Sequence, residues 1–261
     1  MSAALDLVLF ENDAAAAAAA LAAGIDGLMI DLEFAGKHRR QEGADTEISE
    51  HQPGDLDLAA RLGARLRFCR VEGPGRWRPA QVEEVLARGA THVFLPMVEK
   101  PAEVELLLDQ VAGRAAVGIL VETEAAVAAA AALARLPIFG VFVGLNDLAI
   151  ARRSKNLFAA LADGTVERVR GAFAGKDFGF AGVTAMSRGE PLPARLLLAE
   201  MARLGATFAF LRRSFRRDMV GRDPHAEVAA IRRTWTELNA RSAAAVAADH
   251  GELMARLREL C

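Results

Sequence analysis

Acidic side chains follow several apolar runs of the sequence, and one arginine lies among them. Asp31 and Glu33 close the second run, Glu122 closes the fifth, and Asp147 lies just beyond the sixth. Clustered carboxylates repel one another, and a hard divalent cation such as Mg²⁺ removes that cost. Arg70, near the end of the third run, is suited to a substrate carboxylate because a guanidinium can hold one through two parallel hydrogen bonds.

The acids Glu122 and Asp147 are the predicted metal ligands. No soft ligand lies near them in the sequence, so Mg²⁺ is the expected ion, with Mn²⁺ and Co²⁺ as alternatives. Mg²⁺ usually takes one or two protein carboxylates and fills its other positions with water and substrate oxygens. The pattern therefore predicts a small carboxylate as the partner of the metal site.

The elements that would position these residues are eight short apolar runs. Each is nearly continuous in Val, Ile, Leu, Phe and Ala, which is typical of parallel strands buried on both faces. The runs are Leu5–Phe10, Gly27–Glu33, Leu66–Val71, His92–Val98, Ala116–Glu122, Gly140–Gly144, Phe178–Thr184 and Thr207–Ser214.

Helical segments alternate with these runs. The segment Pro101–Val111 carries Val104, Leu107, Leu108 and Val111 on one stripe, and it opens with a proline in its first turn. Eight such β–α units predict a (β/α)₈ barrel, whose active site lies in the loops after the strands. The charged residues above fall at that face.

We expect a single domain, because no linker or change of composition divides the chain. Residues 1–222 are predicted to form the barrel, and residues 223–261 a C-terminal helical extension of the same domain. The extension is amphipathic, so it packs either on a neighbouring subunit or on the barrel's own base.

The overall composition excludes several classes of function. The chain has 261 residues and a formal net charge of −2, which argues against nucleic acid as a partner. No apolar run is long enough to span a membrane, and the N-terminus lacks the basic start of a signal peptide. Cys69 and Cys261 are the only cysteines, which fits a cytoplasmic protein in a reducing compartment.

Five stretches give the sequence a specific resemblance. They are Gly27–Glu33, Cys69–Val71, Leu95–Glu99, Val121–Thr123 and Val143–Leu148. In order and spacing, the sequence resembles the HpcH/HpaI aldolase and citrate lyase β-subunit family, as an atypical subgroup of the phosphoenolpyruvate/pyruvate-type barrels.

The resemblance implies a metal-dependent carbon–carbon lyase that acts on a 2-oxo acid or a related hydroxy acid. The family's metal ligands fall on Glu122 and Asp147, and its arginine for pyruvate or the enolate falls on Arg70. Gly144 would let the backbone approach the substrate, and Asn146 lies in the same turn. A metal-stabilised enolate would form on cleavage. The family also implies a homo-oligomer, either a trimer or a hexamer.

The chain departs from the family pattern at its catalytic dyad. Bacterial 2-oxo-acid aldolases place a histidine base after the strand-2 glutamate, where this chain has Phe34. The partner aspartate is replaced by Ala87, and a glutamine of strand 5 is replaced by Leu120. The family's complete aldolase mechanism therefore cannot be transferred to this chain.

Other residues are candidates for the missing base and for substrate binding. Glu33, Lys37 and His51 are the catalytic candidates, because carboxylate, amine and imidazole groups can exchange protons. Further candidates for substrate binding are Arg40 and Gln41, in the polar segment after strand 2, and Pro96, at the end of strand 4.

Two alternative functions remain open from the sequence. The first is a hydrolase or transferase that keeps the metal–enolate chemistry in a biosynthetic pathway, for example of a surface polysaccharide. The second is a non-catalytic barrel that binds a metal and has lost its base. The retained charges of Arg70, Glu122 and Asp147 argue against the second, because nothing would then offset their repulsion.

Overall fold

Nine short parallel strands form the central sheet of the protein in this computed structural model, which describes residues 4–34, 51–212, 215 and 218–260. The strands are β1 (Asp6–Phe10), β2 (Gly27–Asp31), β3 (Leu66–Arg70), β4 (His92–Leu95), β5 (Ala116–Val121), β6 (Gly140–Val143), β7 (Asp177–Phe180), β8 (Gly182–Val183) and β9 (Phe208–Leu211). Their order in the sheet is β7-β6-β5-β4-β3-β2-β1-β9-β8, and every pairing is parallel. Because β7 and β8 come from one stretch of chain, the sheet is a nearly closed barrel.

The seventh predicted strand differs from the structure, because it is divided into β7 and β8. Ala181 separates the two parts and has a φ of 53°, a left-handed conformation that interrupts a strand. The part before it pairs with β6, and the part after it pairs with β9. Across the remaining gap, Thr207 N donates to the Phe178 carbonyl oxygen at 2.9 Å. The predicted (β/α)₈ barrel is confirmed, with this one strand broken.

Helices connect the strands and surround the barrel. They are α1 (Ala14–Ala22), α2 (Asp55–Arg61), α3 (Pro79–Ala87), α4 (Pro101–Val111), α5 (Glu124–Ala128), α6 (Ala130–Leu133), α7 (Leu145–Ala151), α8 (Ala159–Ala162), α9 (Thr165–Ala172), α10 (Ala194–Arg203), α11 (Pro224–Asn239) and α12 (Ala243–Glu259). On α4, the predicted stripe faces the barrel: Val104, Leu107 and Val111 are buried. Prolines begin α3, α4 and α11, where a missing N–H costs nothing.

Two separate cores hold the barrel together. The outer one is mostly aliphatic and lies between the strands and the helices. The inner one fills the barrel itself and is rich in phenylalanine, with Phe68, Phe94 and Phe208 fully buried. Gly118 makes room for this packing, since a Cβ there would lie 2.5 Å from the Phe94 ring. The lower barrel is therefore a closed aromatic plug and not a channel.

The two C-terminal helices pack on the barrel of their own chain. Arg232 of α11 donates to the Gly24 carbonyl oxygen at 3.0 Å and pairs with Asp26, beside the start of β2. His250 of α12 lies 3.1 Å from the Glu200 carboxylate of α10. Of the two positions that the sequence left open, these helices occupy the one on their own chain. The division into residues 1–222 and 223–261 stays a prediction.

Among the helices of the described residues, none has both the length and the apolar character that crossing a membrane requires.

Candidate active site

The inward side chains of the barrel form a second, charged layer above the aromatic plug. Side chains alternate along a strand, so a residue two positions beyond an inward one also points inward. Asp31 lies two positions beyond Met29, Arg70 two beyond Phe68, and Glu122 two beyond Leu120; the three earlier residues all belong to the inner core. The plug therefore supports the charged groups from below, at the carboxyl ends of the strands.

Arg70 and Asp31 form the most regular contact of this layer. They are Cα partners in the β2–β3 ladder. Arg70 Nε donates to Asp31 Oδ1 at 2.8 Å, and Nη2 donates to Oδ2 at 2.7 Å, so the pair is bidentate. Both residues are buried. Burial acts to lower the pKa of Arg70, but the Asp31 charge and its hydrogen bonds outweigh burial and raise the pKa above its usual value. The guanidinium is therefore a fixed positive charge.

Two further carboxylates surround the same guanidinium. Arg70 Nε lies 3.5 Å from Glu33 Oε2, and Nη1 lies 3.9 Å from Glu122 Oε1. The Phe10 ring completes the surroundings, with its centroid 5.9 Å from the guanidinium carbon. Because Nε and Nη2 are held by Asp31, Nη1 is the group that faces the rest of the site. From the sequence we expect Arg70 to bind a substrate carboxylate through two parallel hydrogen bonds, but in the structure Nε and Nη2 make those two bonds to Asp31.

Glu122 follows β5 directly and is held by backbone from both neighbouring strands. Its Oε2 accepts a hydrogen bond from Met97 N at 3.2 Å, and Met97 has a φ of 53°. On the other side, a Cβ at Gly144 would lie 2.5 Å from Glu122 Cγ and 2.6 Å from Oε1. Glycine at position 144 is therefore required for the carboxylate to occupy its place.

Asp147 lies in the first turn of α7, directly after β6, and is half-buried. Burial and the nearby Asp147 charge together raise the pKa of Glu122 to about 8, against the opposing effect of Arg70. The two carboxylates are thus close enough to repel one another. Asn146 is half-buried in the same turn.

The carboxylates Glu122 and Asp147 fit a hard divalent cation. Their negative charge exceeds what Arg70 can neutralise, because Asp31 and Glu33 also approach that one guanidinium. Within the described ranges no group of three or more His, Cys, Asp and Glu side chains is arranged for a metal. Such a two-carboxylate donor set suits Mg²⁺, which completes its six ligands with water and substrate oxygens.

His51 is buried and contacts the backbone of Asp31. Its Nδ1 accepts a hydrogen bond from Asp31 N at 2.8 Å, so in the neutral imidazole the proton is on Nε2. His51 can take up a proton at Nδ1 only if the Asp31 amide first leaves it. The contact therefore orients the backbone that carries Asp31, and this arrangement favours a positioning residue over a base.

Glu33 lies where β2 has ended and the chain turns away. It is buried, and its amide donates to Asp31 Oδ1 at 3.3 Å. The next residue, Phe34, is 41% exposed, and its amide donates to Glu72 Oε1 at 3.0 Å. At the family's histidine position this chain therefore presents an aromatic ring to the solvent, and acids lie on both sides of it: Glu33 precedes it in the chain and Glu72 accepts its amide.

Only one of the remaining residues singled out from the sequence, among those that the structure describes, lies in the inward layer. Pro96 is buried two positions beyond Phe94 and thus belongs to the same inward layer. Ala87 is exposed at the end of α3. The candidates Lys37, Arg40 and Gln41 lie outside the described residues.

Two buried acids at this face were given no role by the sequence analysis. From the sequence alone Asp31 is a strand-end residue, and in the structure it is the partner of Arg70. Glu11, directly after β1, is buried and accepts the amides of Asn12 and Asp13 at 3.0 and 2.9 Å. The period-two pattern of β2 was the available signal for Asp31, because it places residues 29 and 31 on one face.

A cavity of about 230 Å³ opens beside this layer. Glu33 and Met97 line it on the side of the charged residues, and Gly73, Pro74 and Arg76 line it on the side of the β3–α3 loop. Arg76 also lines a larger cavity of about 650 Å³. The charged layer is therefore continuous with open space above the β3 and β4 ends.

The fold and this site define a class: a parallel α/β barrel with a charged site at the carboxyl ends of its strands. A family model described as HpcH/HpaI aldolase/citrate lyase matches residues 7–157, which is more than half of the chain. The chain belongs to this family, and membership supports an aldolase- or lyase-type activity. A comparison with curated proteins found no match.

Solved structures of similar fold cover nearly the whole chain. An HpcH/HpaI aldolase/citrate lyase family protein from Burkholderia cenocepacia J2315 has a TM-score of 0.62 and 18% identity, over 92% of this chain and 95% of that one. A citrate lyase β subunit from M. tuberculosis, complexed with oxaloacetate and magnesium, has a TM-score of 0.59 and 20% identity, over 89% and 97%. The citrate synthase SbnG has a TM-score of 0.60 and 17% identity, over 88% and 93%. At these identities the likeness shows the fold alone.

Proposed function

We propose that the protein is a metal-dependent carbon–carbon lyase that acts on a 2-oxo acid or a related hydroxy acid. The observation that carries the proposal is the inward layer in which Arg70 Nη1 lies 3.9 Å from Glu122 Oε1. The positive charge of Arg70 thus lies close to Glu122, whose carboxylate is repelled by that of Asp147. That arrangement suits a small acid that has both a carboxylate and a neighbouring ketone oxygen.

Arg70 and Asp31 would bind the substrate together. Asp31 fixes the guanidinium through two hydrogen bonds, so Nη1 is presented without further loss of side-chain freedom. Nη1 would donate to the substrate carboxylate or to the developing enolate oxygen. The fixed charge stabilises negative charge more in the reaction's transition state than in the ground state, which is what accelerates a reaction.

Glu122 and Asp147 would hold the divalent cation, for which Mg²⁺ is the first choice. A magnesium ion is present in the citrate lyase β subunit from M. tuberculosis, of similar fold. When bound, the ion supplies Lewis-acid polarisation of the ketone and charge stabilisation of the enolate. Met97 N and the space at Gly144 keep the Glu122 carboxylate in place for this role.

The proposed reaction balances without a further reactant. In the cleavage direction the bond between carbons 3 and 4 of a 4-hydroxy-2-oxo acid breaks, and its electron pair enters the enolate of the 2-oxo acid. The proton of the 4-hydroxyl group passes to a base, and an aldehyde leaves. Protonation of the enolate carbon then releases the 2-oxo acid.

Glu33 is the base that we propose among the described residues. It contacts Arg70 and also lines the 230 Å³ cavity in which a hydroxyl group could lie. A carboxylate in hydrogen-bond reach of a hydroxyl can accept its proton. Lys37 remains the other candidate, and His51 would have to give up its bond to the Asp31 amide first.

Calorimetric binding of oxalate, which mimics the enolate of pyruvate, tests the proposal. We expect oxalate to bind the wild-type protein with Mg²⁺ present, and at least a hundredfold more weakly without Mg²⁺ or in Glu122→Gln. The exposed acid of α4, changed in Glu105→Gln, is the matched control and should bind like the wild type. Wild-type protein that binds Mg²⁺ but no oxalate contradicts the proposal.

A second candidate is a hydrolase or transferase that uses the same enolate chemistry in a biosynthetic pathway. It is favoured by Phe34 and Ala87 in place of the family's histidine–aspartate dyad. Incubation with 4-hydroxy-2-oxo acids separates the two candidates, because only the lyase releases pyruvate and an aldehyde. Oxalate binding without such release would favour the second candidate.

A further inference from the structure

The short helix α7, which carries Asp147 in its first turn, ends at a well-defined place. Arg152 is its C-cap residue, and Arg153 follows with a φ of 53°, the left-handed conformation that commonly closes a helix. Ser154 N then donates to the Ala149 carbonyl oxygen at 2.9 Å, which completes the turn. The position of Arg152 relative to Asp147 along the helix is therefore fixed by the backbone.

Arg152 joins this end of α7 to its neighbouring elements through its guanidinium. Nε donates to Glu124 Oε1 at 2.5 Å, in the first turn of α5. Nη1 donates to Asp163 Oδ2 at 2.9 Å, and Nη2 donates to Thr165 Oγ1 at 3.1 Å, where α8 ends and α9 begins. Burial acts to lower the pKa of Arg152, but the bonds and charges of Glu124 and Asp163 outweigh burial and raise the pKa. All three nitrogens of a charged guanidinium therefore hold a partner.

Glu124 brings this contact close to the other proposed metal ligand. It lies two positions after Glu122 in the chain. The residue between them, Thr123, caps α5: its Oγ1 accepts Ala126 N at 3.0 Å and donates to the Val98 carbonyl oxygen at 2.7 Å, on the side of β4. The segment that begins with Glu122 is therefore held from two sides, by the Thr123 bond toward β4 and by the guanidinium at the end of α7.

The start of α7 lacks a side-chain cap among the described residues. Its N-cap residue is Gly144, which has no side chain to accept a hydrogen bond. The helix is otherwise held by apolar packing, because Leu145, Leu148 and Ala149 are buried. Apolar packing is not directional, so it does not by itself fix the orientation of a seven-residue helix. The hydrogen bonds of Arg152 supply a directional contact at the other end.

We infer that Arg152 is a positioning residue for the cation site: by joining the end of α7 to the start of α5, it sets where Asp147 lies relative to Glu122. The inference rests on the proposed function, which assigns these two carboxylates to the metal. Mg²⁺ requires near-ideal octahedral geometry, with its oxygen ligands at about 2.0–2.1 Å. A small shift of α7 against α5 therefore lowers the affinity for the ion, although neither Arg152 nor Glu124 is itself a ligand.

Binding of Mn²⁺ alone, followed through the EPR signal of the free ion, tests the inference, since Mn²⁺ also prefers carboxylate and water oxygens. Arg152→Gln should weaken Mn²⁺ binding about tenfold, at the lower end of the effect of residues that support metal ligands. Glu124→Ala should weaken it about fivefold. The matched control is Asp163→Ala, because the side chains of Glu124 and Asp163 bind the same guanidinium and are 56% and 49% exposed. It should bind Mn²⁺ like the wild type, since Asp163 lies in neither α5 nor α7.

The sign of the Arg152 effect separates positioning from a simple effect of charge. Removing a positive charge near a cation site would, through Coulomb repulsion alone, leave the Mn²⁺ affinity unchanged or raise it. A lower affinity in folded Arg152→Gln therefore indicates displaced ligands. In the double variant Arg152→Gln/Glu124→Ala the affinity should be no lower than in Arg152→Gln, because the two residues act through one contact. Urea denaturation checks that each variant is folded under the conditions of the titration.

An unchanged or higher Mn²⁺ affinity in Arg152→Gln overturns the inference alone, and so does an equal loss in Glu124→Ala and Asp163→Ala. If Arg152→Gln does not fold, the comparison of those two variants decides. The expected losses of Mn²⁺ affinity in a protein that binds no oxalate overturn the proposed reaction and keep Arg152 as a positioning residue of a cation site. Wild-type protein that binds no Mn²⁺ overturns both the inference and the assignment of the metal ligands.

Discussion

The inside of the barrel contains two layers of opposite character, separated by two residues along β2, β3 and β5. The lower layer packs Phe68, Phe94 and Phe208 with no charge between them. The upper layer holds Asp31 and Arg70, with further carboxylates around the guanidinium. The lower layer gains free energy by burial, whereas the upper layer loses hydration that only partners or ligands can replace. On the same strands, one inward residue therefore contributes to stability and the next inward residue contributes to the charged site.

The largest effect on stability is expected from the lower layer. Phe94→Ala removes a fully buried ring and should lower the free energy of unfolding by about 3–5 kcal/mol. Urea denaturation measures this loss. The control Leu106→Ala, at a site that is 62% exposed on α4, should change stability by less than about 0.5 kcal/mol. If folded Phe94→Ala also loses oxalate binding, the two layers are not separable as described.

A somewhat smaller loss is expected when the upper layer loses one charge. Asp31→Asn leaves Arg70 buried without its bidentate partner, and breaking a buried pair costs about 3 kcal/mol. Here, unlike in Phe94→Ala, oxalate affinity should also fall at least tenfold, because Nη1 is no longer fixed. The control Asp57→Asn breaks a half-exposed pair with Arg88 and should cost less than about 1 kcal/mol. Unchanged oxalate affinity in Asp31→Asn would show that Asp31 has no role in binding the ligand.

Gly144→Ala should affect the site more than the fold. The added Cβ would lie 2.5 Å from Glu122 Cγ and forces the carboxylate to move, so we expect about tenfold weaker Mg²⁺-dependent oxalate binding. Overpacking should cost about 1–2 kcal/mol in unfolding free energy. Gly171→Ala is the control, because a Cβ in that helix meets nothing within 4 Å. Equal oxalate affinity in both variants would show that Glu122 tolerates displacement.

The last effect depends on pH and concerns His92 at the lower end of the barrel. Burial between the rings of Phe68 and Phe139 lowers the pKa of His92 to about 4, against the raising effect of Asp177. Between pH 6.5 and 4 the unfolded chain therefore binds a proton that the folded chain does not. Stability should fall as pH drops through this window, with a slope from this residue of at most about 1.4 kcal/mol per pH unit.

Urea midpoints at pH 7 and pH 5 measure this effect. His92→Phe should show a smaller decrease than the wild type over that interval, whereas His225→Gln, at an exposed position, should decrease like the wild type. A wild-type decrease no larger than that of His92→Phe would mean that His92 is protonated in the folded protein.

Much of the barrel could be predicted from the sequence because its signals are local. Runs of branched and aliphatic residues, proline at helix starts and the apolar stripe of α4 depend on neighbours within a few positions. The acids at the strand ends followed from the same reasoning. Even the inward layer was accessible, since the period of two along β2 and β5 connects Met29 to Asp31 and Leu120 to Glu122.

The broken strand shows where local reasoning ended. The run 178–184 contains no charged residue and is mostly apolar, so it predicts one strand. The conformation of Ala181 follows from the need to pair first with β6 and then with β9 while the barrel closes. Closure is a property of the whole sheet, and no short stretch of sequence records it.

The sequence by itself determined the fold class, the family and the types of charge at the active face. Only the tertiary structure decided their partners: Arg70 binds Asp31, 39 positions away, because the β2–β3 register places the two Cα atoms side by side. In the same way His51 meets the Asp31 amide, and Gly144 makes room for Glu122. Contacts between distant segments depend on register and barrel closure, which are set by the packing of the whole chain.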